Sequence, residues 1–154
     1  MGKELSVRTE ILIHASPAYV WEVLVNPKYV AEWDELPEDY PTERMTVGSK
    51  VIWDLPNGEQ SITKIIKADK EKELVIALLG TGWEMKPTEG DVAYHYTLIE
   101  RGDKTLVTLC IGDFSLLKDG QMYYDASVEF ADNAKTTIKR LAESMQDFRK
   151  DLHL

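Results

Sequence analysis

Residues 11–33 read ILIHASPAYVWEVLVNPKYVAEW, and this stretch decides the fold. Ser16-Pro17 is a helix start: a serine hydroxyl accepts from an orphan amide, and proline fits the first helical position. Val20, Val23 and Leu24 follow at helical spacing, flanked by Tyr19 and Trp21. Asn26-Pro27 repeats the device. Proline disfavours helical geometry in the residue before it, so the first helix is predicted to stop near Val25. Asn26 then caps a second short helix, in which Val30 and Trp33 lie one turn apart. Upstream, Leu5, Val7, Ile11 and Ile13 alternate with Ser6, Arg8, Glu10 and His14, the pattern of a half-buried strand. A strand therefore runs into two short helices with almost no connecting residues.

Working outward, Asp34 to Glu43 (DELPEDYPTE) holds two prolines and five acidic residues. It reads as a solvated loop into the sheet. It lacks the glycine and ligand spacing of a calcium loop, so no metal is expected there. A run of antiparallel strands follows. Val47 to Leu55 turns at Pro56-Asn57-Gly58-Glu59, where Asn-Gly is a strong hairpin signal, and Gln60 to Ala68 returns. Opposing Trp53 with Ile62 works across that turn but sets Lys64 against Val51, so a bulge or register change is expected. Leu74 to Leu79 forms the next strand. The glycines Gly80 and Gly82 allow it to bend on towards Met85. Lys86 to Gly90 turns again.

Asp91 to Glu100 and Thr105 to Phe114 form the last hairpin. With Arg101 to Lys104 as the turn, Tyr94 faces Ile111, Tyr96 faces Leu109, and Leu98 faces Val107. Opposed residues share one side of a sheet, and these six are large and mostly apolar, so this is the buried side. The same register sets His95 opposite Cys110 on the other side, with Thr97 and Thr108. A cysteine beside a histidine begins a nucleophilic dyad. This pair lies away from the interior, with no third group or helix N-terminus to lower the thiol pKa, and reads as a semi-exposed polar pair.

The chain closes with a long helix, from about Asp125 to Asp151. Phe130, Ala134, Ile138, Leu141, Met145, Phe148 and Leu152 form an apolar stripe for packing on a concave sheet. Asp125, Glu129 and Asp132 at its start, with Arg149 and Lys150 at its end, suit the helix dipole. In its first half Ala126, Ala131, Ala134 and Thr137 are small. Opposite an aromatic-lined sheet they predict unfilled volume.

The opening block resembles the START-like (SRPBCC) superfamily, the helix-grip fold. Its signature positions here are Ala15, Ser16, Pro17, Val20, Trp21, Asn26, Pro27 and Trp33. Later motifs resemble the branch named for the activator of the 90-kilodalton heat-shock-protein ATPase. They are Val47-Gly48-Ser49-Lys50-Val51, Gly82-Trp83, the hairpin around Gly102, and Gly112-Asp113-Phe114 before the last helix. Tyr19 stands where that branch often carries an acid completing a capping box. The resemblance spans nearly all of the chain. It implies an α+β helix-grip domain over residues 1–154: a curved antiparallel sheet of about six to seven strands wrapped around a long C-terminal helix, with two short helices after the first strand.

Bulk properties agree. A chain of 154 residues suits one core and buries roughly 70% of its unfolded surface. Eighteen basic and 27 acidic residues give a net charge of −9, which argues against nucleic acid as a partner. Cys110 is the single cysteine, so no internal disulfide is expected. No apolar run approaches the length of a membrane span, and MGKELSVRTE has no signal-peptide core. A cytoplasmic location follows as the expectation. No recognisable nucleophile, metal or phosphate-cradling motif is present, and no cofactor is expected.

The inner side of the sheet offers Val51, Trp53, Tyr94, Tyr96, Leu109 and Ile111. Trp33, Trp83, Met85 and Phe114 are placed to close one end, Asp113 near the mouth, and Phe130 and Ala134 on the facing helix. Buried tyrosine hydroxyls need partners, which a bound molecule can supply. Ligand pockets are concave and apolar with a few orienting polar groups. The resemblance implies a small apolar or aromatic guest: a lipid, a polyketide or a flavonoid-like compound. Two other readings follow from it. One is a cyclase- or hydratase-type enzyme using Tyr94, Tyr96 and Asp113 as acid and base. The other is a protein-interaction domain with a chaperone partner.

Overall fold

In a computed structural model of the chain, residues 4–83 and 87–152 are described, the side chains of 149–152 excepted. Strand β1 (Val7–Ile13) leads into helices α1 (Pro17–Val25) and α2 (Pro27–Trp33). Strands β2 (Lys50–Asp54), β3 (Gln60–Asp69), β4 (Glu73–Gly80), β5 (Ala93–Arg101) and β6 (Lys104–Gly112) follow. A 3₁₀ turn, Phe114–Leu116, precedes helix α3 (Gly120–Leu152). The six strands form one antiparallel sheet in the order β1-β6-β5-β4-β3-β2. The fold is the curved sheet and long helix of the helix-grip class.

The two prolines act as expected on the helices. Each occupies the first turn, and α1 stops at Val25. Asn26 caps α2 by accepting from the Lys28 N–H at 3.1 Å. Ser16 differs from expectation: its backbone is extended as an N-cap requires, yet its hydroxyl makes no capping bond. Its N–H donates instead to Gln146 Oε1 of α3 at 3.3 Å, so the start of α1 is tied to the long helix. Trp33 pins α2 to α1 by donating from Nε1 to the Val23 carbonyl at 2.8 Å. Buried Thr105 ties β6 to the β1–α1 corner through the Ala15 carbonyl, also at 2.8 Å.

The β5–β6 register is the one the apolar pattern demands: Tyr94 opposite Ile111, Tyr96 opposite Leu109, Leu98 opposite Val107. On the reverse face His95 sits opposite Cys110, but the imidazole Nε2 pairs with Glu73 and the thiol accepts from Arg8 Nη1 at 3.7 Å. The first hairpin is corrected by one residue. Trp53 opposes Ser61, Ile52 opposes Ile62, and Val51 opposes Thr63 rather than Lys64. Asn57 accounts for the offset: its Oδ1 accepts from the Glu59 N–H at 3.0 Å, and Leu55 N–H donates to the Glu59 carbonyl. The irregularity lies on the other side of β3, between Ile65 and Lys67 against β4.

Three boundaries also move. Strand β2 begins at Lys50, because residues 47–49 form a turn; Val47 is exposed. Strand β4 ends at Gly80. Strand β6 ends at Gly112, whose φ is +144° and whose missing Cβ would lie 2.6 Å from Ser6 Oγ and 2.9 Å from the Leu5 carbonyl. Glycine is required there, and the chain turns out of the sheet before Asp113 and Phe114.

Helix α3 starts five residues before the expected Asp125. Its backbone lies close to β1, β6, α1 and α2. Ala131, Ala134, Ile138, Leu141 and Ala142 are buried against them. Phe148 is 63% exposed and leaves the stripe that periodicity assigned to it. The side chains of Arg149, Lys150 and Leu152 lie outside the described set. No helix among the described residues is long and apolar enough to cross a membrane.

Candidate functional site

Helix α3 converges on β1 and diverges from β3 and β4, and the divergence opens a cleft of about 600 Å³. One wall is the sheet: Leu78, Leu79 and Gly80 of β4, Gln60 and Ser61 of β3, and Leu55 and Glu59 of the first hairpin. The opposite wall is the first half of α3, with Tyr123, Ala126, Ser127 and Phe130. Phe114, Leu117, Lys118 and Asp119 border one end, Tyr94 and Asp34 also line the cleft, and Trp83 sits on its rim. A volume of this size is in the range of small-molecule sites. Two other depressions carry several charged side chains (Glu22, Arg44, Lys70 and Glu71; Asp69, Lys70, Lys72 and Glu73) and lie away from the gap between sheet and helix.

Aromatic contacts hold the walls. Trp83 meets Tyr123 edge-to-face at 6.1 Å, and its Nε1 donates to the Tyr123 hydroxyl at 3.3 Å. Tyr123 stacks on Phe114 at 6.1 Å, and Tyr94 packs against Phe130 at 5.5 Å. Such ring pairs add about 0.5–1.5 kcal/mol each beyond their burial. Gly80 lets the indole lie on the end of β4, because a Cβ there would be 2.6 Å from Trp83 Nε1.

The expected site residues divide by position. Trp83, Tyr94, Phe114 and Phe130 line the cleft. Tyr96, Leu109, Ile111, Ala134, Trp33 and Val51 are buried in the packed core. Trp53 shares the face of Val51, but it projects from the edge strand, is 38% exposed and does not line the cleft. Met85 lies outside the described residues. Asp113 is not at the mouth. Its Oδ1 accepts from the N–H groups of Leu5 and Ser115, each at 2.9 Å, so it ties the N-terminal segment to the 3₁₀ turn. Burial raises its pKa, but the hydrogen bonds from Ser115 and Leu5 outweigh that and hold the carboxyl below the ordinary aspartate range. Ala131 and Ala134 do not face open volume: they are fully buried, and the gap lies a turn earlier, at Ala126 and Ser127.

Sequence reasoning missed Asp34 and Tyr123. Asp34 looked like the first residue of an acidic, solvated loop. It is instead the C-cap of α2, its N–H donating to the Val30 carbonyl at 2.8 Å, and it lines the cleft. Burial raises its pKa above the ordinary aspartate value; the Glu35 N–H, donating to Oδ1 at 2.8 Å, offsets this in part. The available signal was Trp33: a buried residue that ends a helix holds its successor near the core. Burial, with Asp34 as an added negative charge, also raises the pKa values of Tyr94 and Tyr96. The Tyr96 ring packs edge-on to Trp33 at 5.8 Å. Its hydroxyl is buried and has no hydrogen-bond partner among the described residues. Among those residues no group of three or more His, Cys, Asp or Glu side chains could hold a metal ion.

The sheet, helix and cleft can now be compared with known proteins. Solved structures share the fold, among them the following three. Protein MLL2253 from Mesorhizobium loti superposes with a TM-score of 0.67 at 15% identity, covering 90% of this chain and 97% of its own. The Aha1 dimer from Colwellia psychrerythraea gives 0.65 at 16% identity, with 89% and 96% covered. DynU16, a protein of the dynemicin biosynthetic locus, gives 0.65 at 17% identity; 94% of this chain is covered, and it spans about half (49%) of DynU16. At these identities the likeness is one of fold. No curated protein matches the sequence. The family profile described as Activator of Hsp90 ATPase homolog 1-like protein matches residues 14–146. The chain belongs to that family, within the SRPBCC helix-grip superfamily.

Proposed function

We propose that the protein binds a small apolar or aromatic molecule, of lipid, polyketide or flavonoid-like kind, in the cleft between the sheet and α3. The observation that carries this reading is the unfilled space itself: about 600 Å³ walled by Trp83, Phe114, Tyr123, Tyr94 and Phe130, with Asp34 as an acidic group beside them. Side chains in a completed core interdigitate and leave few voids larger than a water molecule. Here the aromatic rings pack on one another around a space they do not fill. A guest occupying the space would bury apolar area at about 25 cal/mol per Å².

The test is a panel of such ligands against the intact chain and an Ala126→Trp variant. Ala126 is exposed and lines the cleft, so an indole there fills the space without disturbing the core. A binding ligand at 100 times its Kd stabilises the fold by about 2.7 kcal/mol. The expected result is a rise in Tm with at least one ligand class, lost in Ala126→Trp. A panel that shifts neither protein overturns the reading.

The family description favours a second reading, a protein-interaction domain acting on a chaperone. Its measure is the ATPase rate of a cognate 90-kilodalton chaperone with and without the chain. Stimulation that survives Ala126→Trp assigns that activity to a surface other than the cleft.

A further inference from the structure

The sheet has two edges, β1 and β2, and they are finished differently. An edge strand presents unpaired N–H and C=O groups that can template another strand. At β1 the long helix guards the edge: Lys139 Nζ donates to the Leu12 carbonyl at 3.0 Å, and Lys135 Nζ to Thr9 Oγ1 at 2.7 Å. Strand β2 has β3 as its one close neighbour among the strands and helices. Lys50, Ile52, Trp53 and Asp54 are exposed, Ile52 to 44%. The residues flanking β2 bond to the β3 side: the Leu55 N–H donates to the Glu59 carbonyl at 2.8 Å, and the Ser49 carbonyl accepts from the Ile65 N–H at 3.0 Å. Backbone direction alternates along an antiparallel strand. Val51 and Trp53 therefore also turn to β3, and the N–H and C=O groups of Lys50, Ile52 and Asp54 face the open edge. None of residues 50–54 lines the cleft.

We propose that β2 is the self-association site of this chain: two copies pair antiparallel through Lys50–Asp54 about a two-fold axis at Ile52. The sequence KVIWD is complementary to itself in that arrangement. Lys50 opposes Asp54 of the second copy, Val51 opposes Trp53, and Ile52 opposes Ile52. The residues facing the edge then exchange both of their backbone hydrogen bonds. Opposite charges and paired apolar side chains across strands are each favourable. Sliding by two residues keeps the open groups opposed but sets Lys50 or Asp54 against Ile52. An in-register parallel pair sets like charges together. Charged residues on an edge strand usually repel other strands; here their opposite signs at the two ends select one partner and one register. Lys50 is also short of a counter-charge. It lies opposite Lys64, which pairs with Glu89 at 3.4 Å, and Lys50 itself makes no ion pair with a described residue. Asp54 accepts from Gln60 Nε2 through Oδ1 at 3.0 Å, and a carboxylate has a second oxygen to offer. A pair of short strands is a small interface, at the weak end of the range, so the dimer has a Kd of about 0.1 mM.

The experiment follows the full chain by sedimentation equilibrium from about 10 µM to about 1 mM at low salt, with amide hydrogen exchange at both ends of that range. Expected is a monomer–dimer equilibrium. The N–H groups of Lys50, Ile52 and Asp54 gain about fivefold protection at the high concentration, while those of Val51 and Trp53, already bonded to β3, change by less than about twofold. Lys50→Glu and Asp54→Lys each set like charges opposite one another at both ends of the pairing and weaken the dimer about tenfold or more. Mixed in equal amounts, the two variants oppose a carboxylate with an ammonium at each end, and the mixed dimer returns to within about threefold of the original Kd. A variant that had merely lost its fold would not be rescued in this way. The exchange pattern is read on the unaltered chain and decides the matter if either variant does not fold. A monomer across the whole range overturns the proposal and leaves the edge to a strand of another protein. A dimer in which the three edge amides stay unprotected overturns it too, as does one that tolerates both charge reversals, or a mixture that associates no better than either variant alone.

Discussion

The Tyr96 hydroxyl makes a prediction with an unusual sign. Substituting Tyr96→Phe keeps the ring that packs edge-on to Trp33 and removes a single oxygen from a fully buried position. Because that oxygen has no hydrogen-bond partner among the described residues, no protein group is orphaned by its loss. What is removed is the cost of taking a hydroxyl out of water without compensation, about 1–3 kcal/mol in proteins. The free protein is therefore expected to become more stable by about that amount. For a domain of this size each kcal/mol raises Tm by roughly 2–4 °C. Urea unfolding followed by circular dichroism measures it: the midpoint should rise with the slope unchanged, because the surface exposed on unfolding is the same. Tyr94→Phe is the control; its phenol lies on the cleft wall and its removal should change stability little. Deleting a tyrosine hydroxyl that is hydrogen-bonded costs about 1 kcal/mol instead. A Tyr96→Phe variant destabilised by that much would refute the reasoning.

Two further predictions concern charge and backbone. Burial raises the Asp34 pKa in the folded protein, so the fold binds that proton more tightly than the unfolded chain does. Its contribution to stability falls as pH rises from the ordinary aspartate value of 3.8 through the raised folded value, and is flat above it. Asp34→Asn should therefore be the more stable protein at pH 7, with the gap closing as pH drops to about 4; a gap that widens on acidification would exclude a desolvated carboxylate. Gly112→Ala places a Cβ 2.6 Å from Ser6 Oγ and 2.9 Å from a backbone carbonyl, at a φ of +144°. A loss of more than about 1 kcal/mol is expected, and an unchanged denaturation midpoint would contradict the geometry.

The fold was legible because its signals are local and redundant. Pro17 and Pro27 each mark a helix start, and the alternation of Tyr94, Tyr96 and Leu98 against Val107, Leu109 and Ile111 admits one register. The first hairpin was less legible: the Asn57 side chain shifts pairing by one residue, a matter of one hydrogen bond that no apolar pattern reports. The site was legible in part. Aromatic residues could be assigned to the interior, but whether a ring fills the core or walls a gap depends on where the helix axis passes. Tyr96 and Trp33 lie where elements press together; Trp83 and Phe130 lie where they part. Asp34 was hidden by its neighbours, since four further acids follow within nine residues and suggest a solvated loop. Asp113 was misplaced for a different reason: strand parity was extended past Gly112, where the chain has already left the sheet.

The small residues of α3 show why the cleft sits where it does. Alanines facing a sheet suggest missing volume, yet Ala131, Ala134 and Ala142 are buried to 1% exposure or less. A short side chain lets two backbones approach, so alanine closes a gap when the elements are free to move together. Close approach needs nothing bulky nearby. At the C-terminal half α3 meets that condition and lies against β1 and α1. One or two turns earlier, Tyr123 meets Trp83 beyond the end of β4 and Phe114 of the 3₁₀ turn, and Phe130 meets Tyr94 of β5, ring against ring. Rings in contact at 5.5–6.1 Å hold the helix off the β3–β4 half of the sheet. Ala126 and Ser127, standing between the two aromatics, are too short to fill what the props leave open. The cleft is thus bounded by the same aromatic side chains that would contact a guest, so any substitution that shortens a prop changes the volume and the contact surface together.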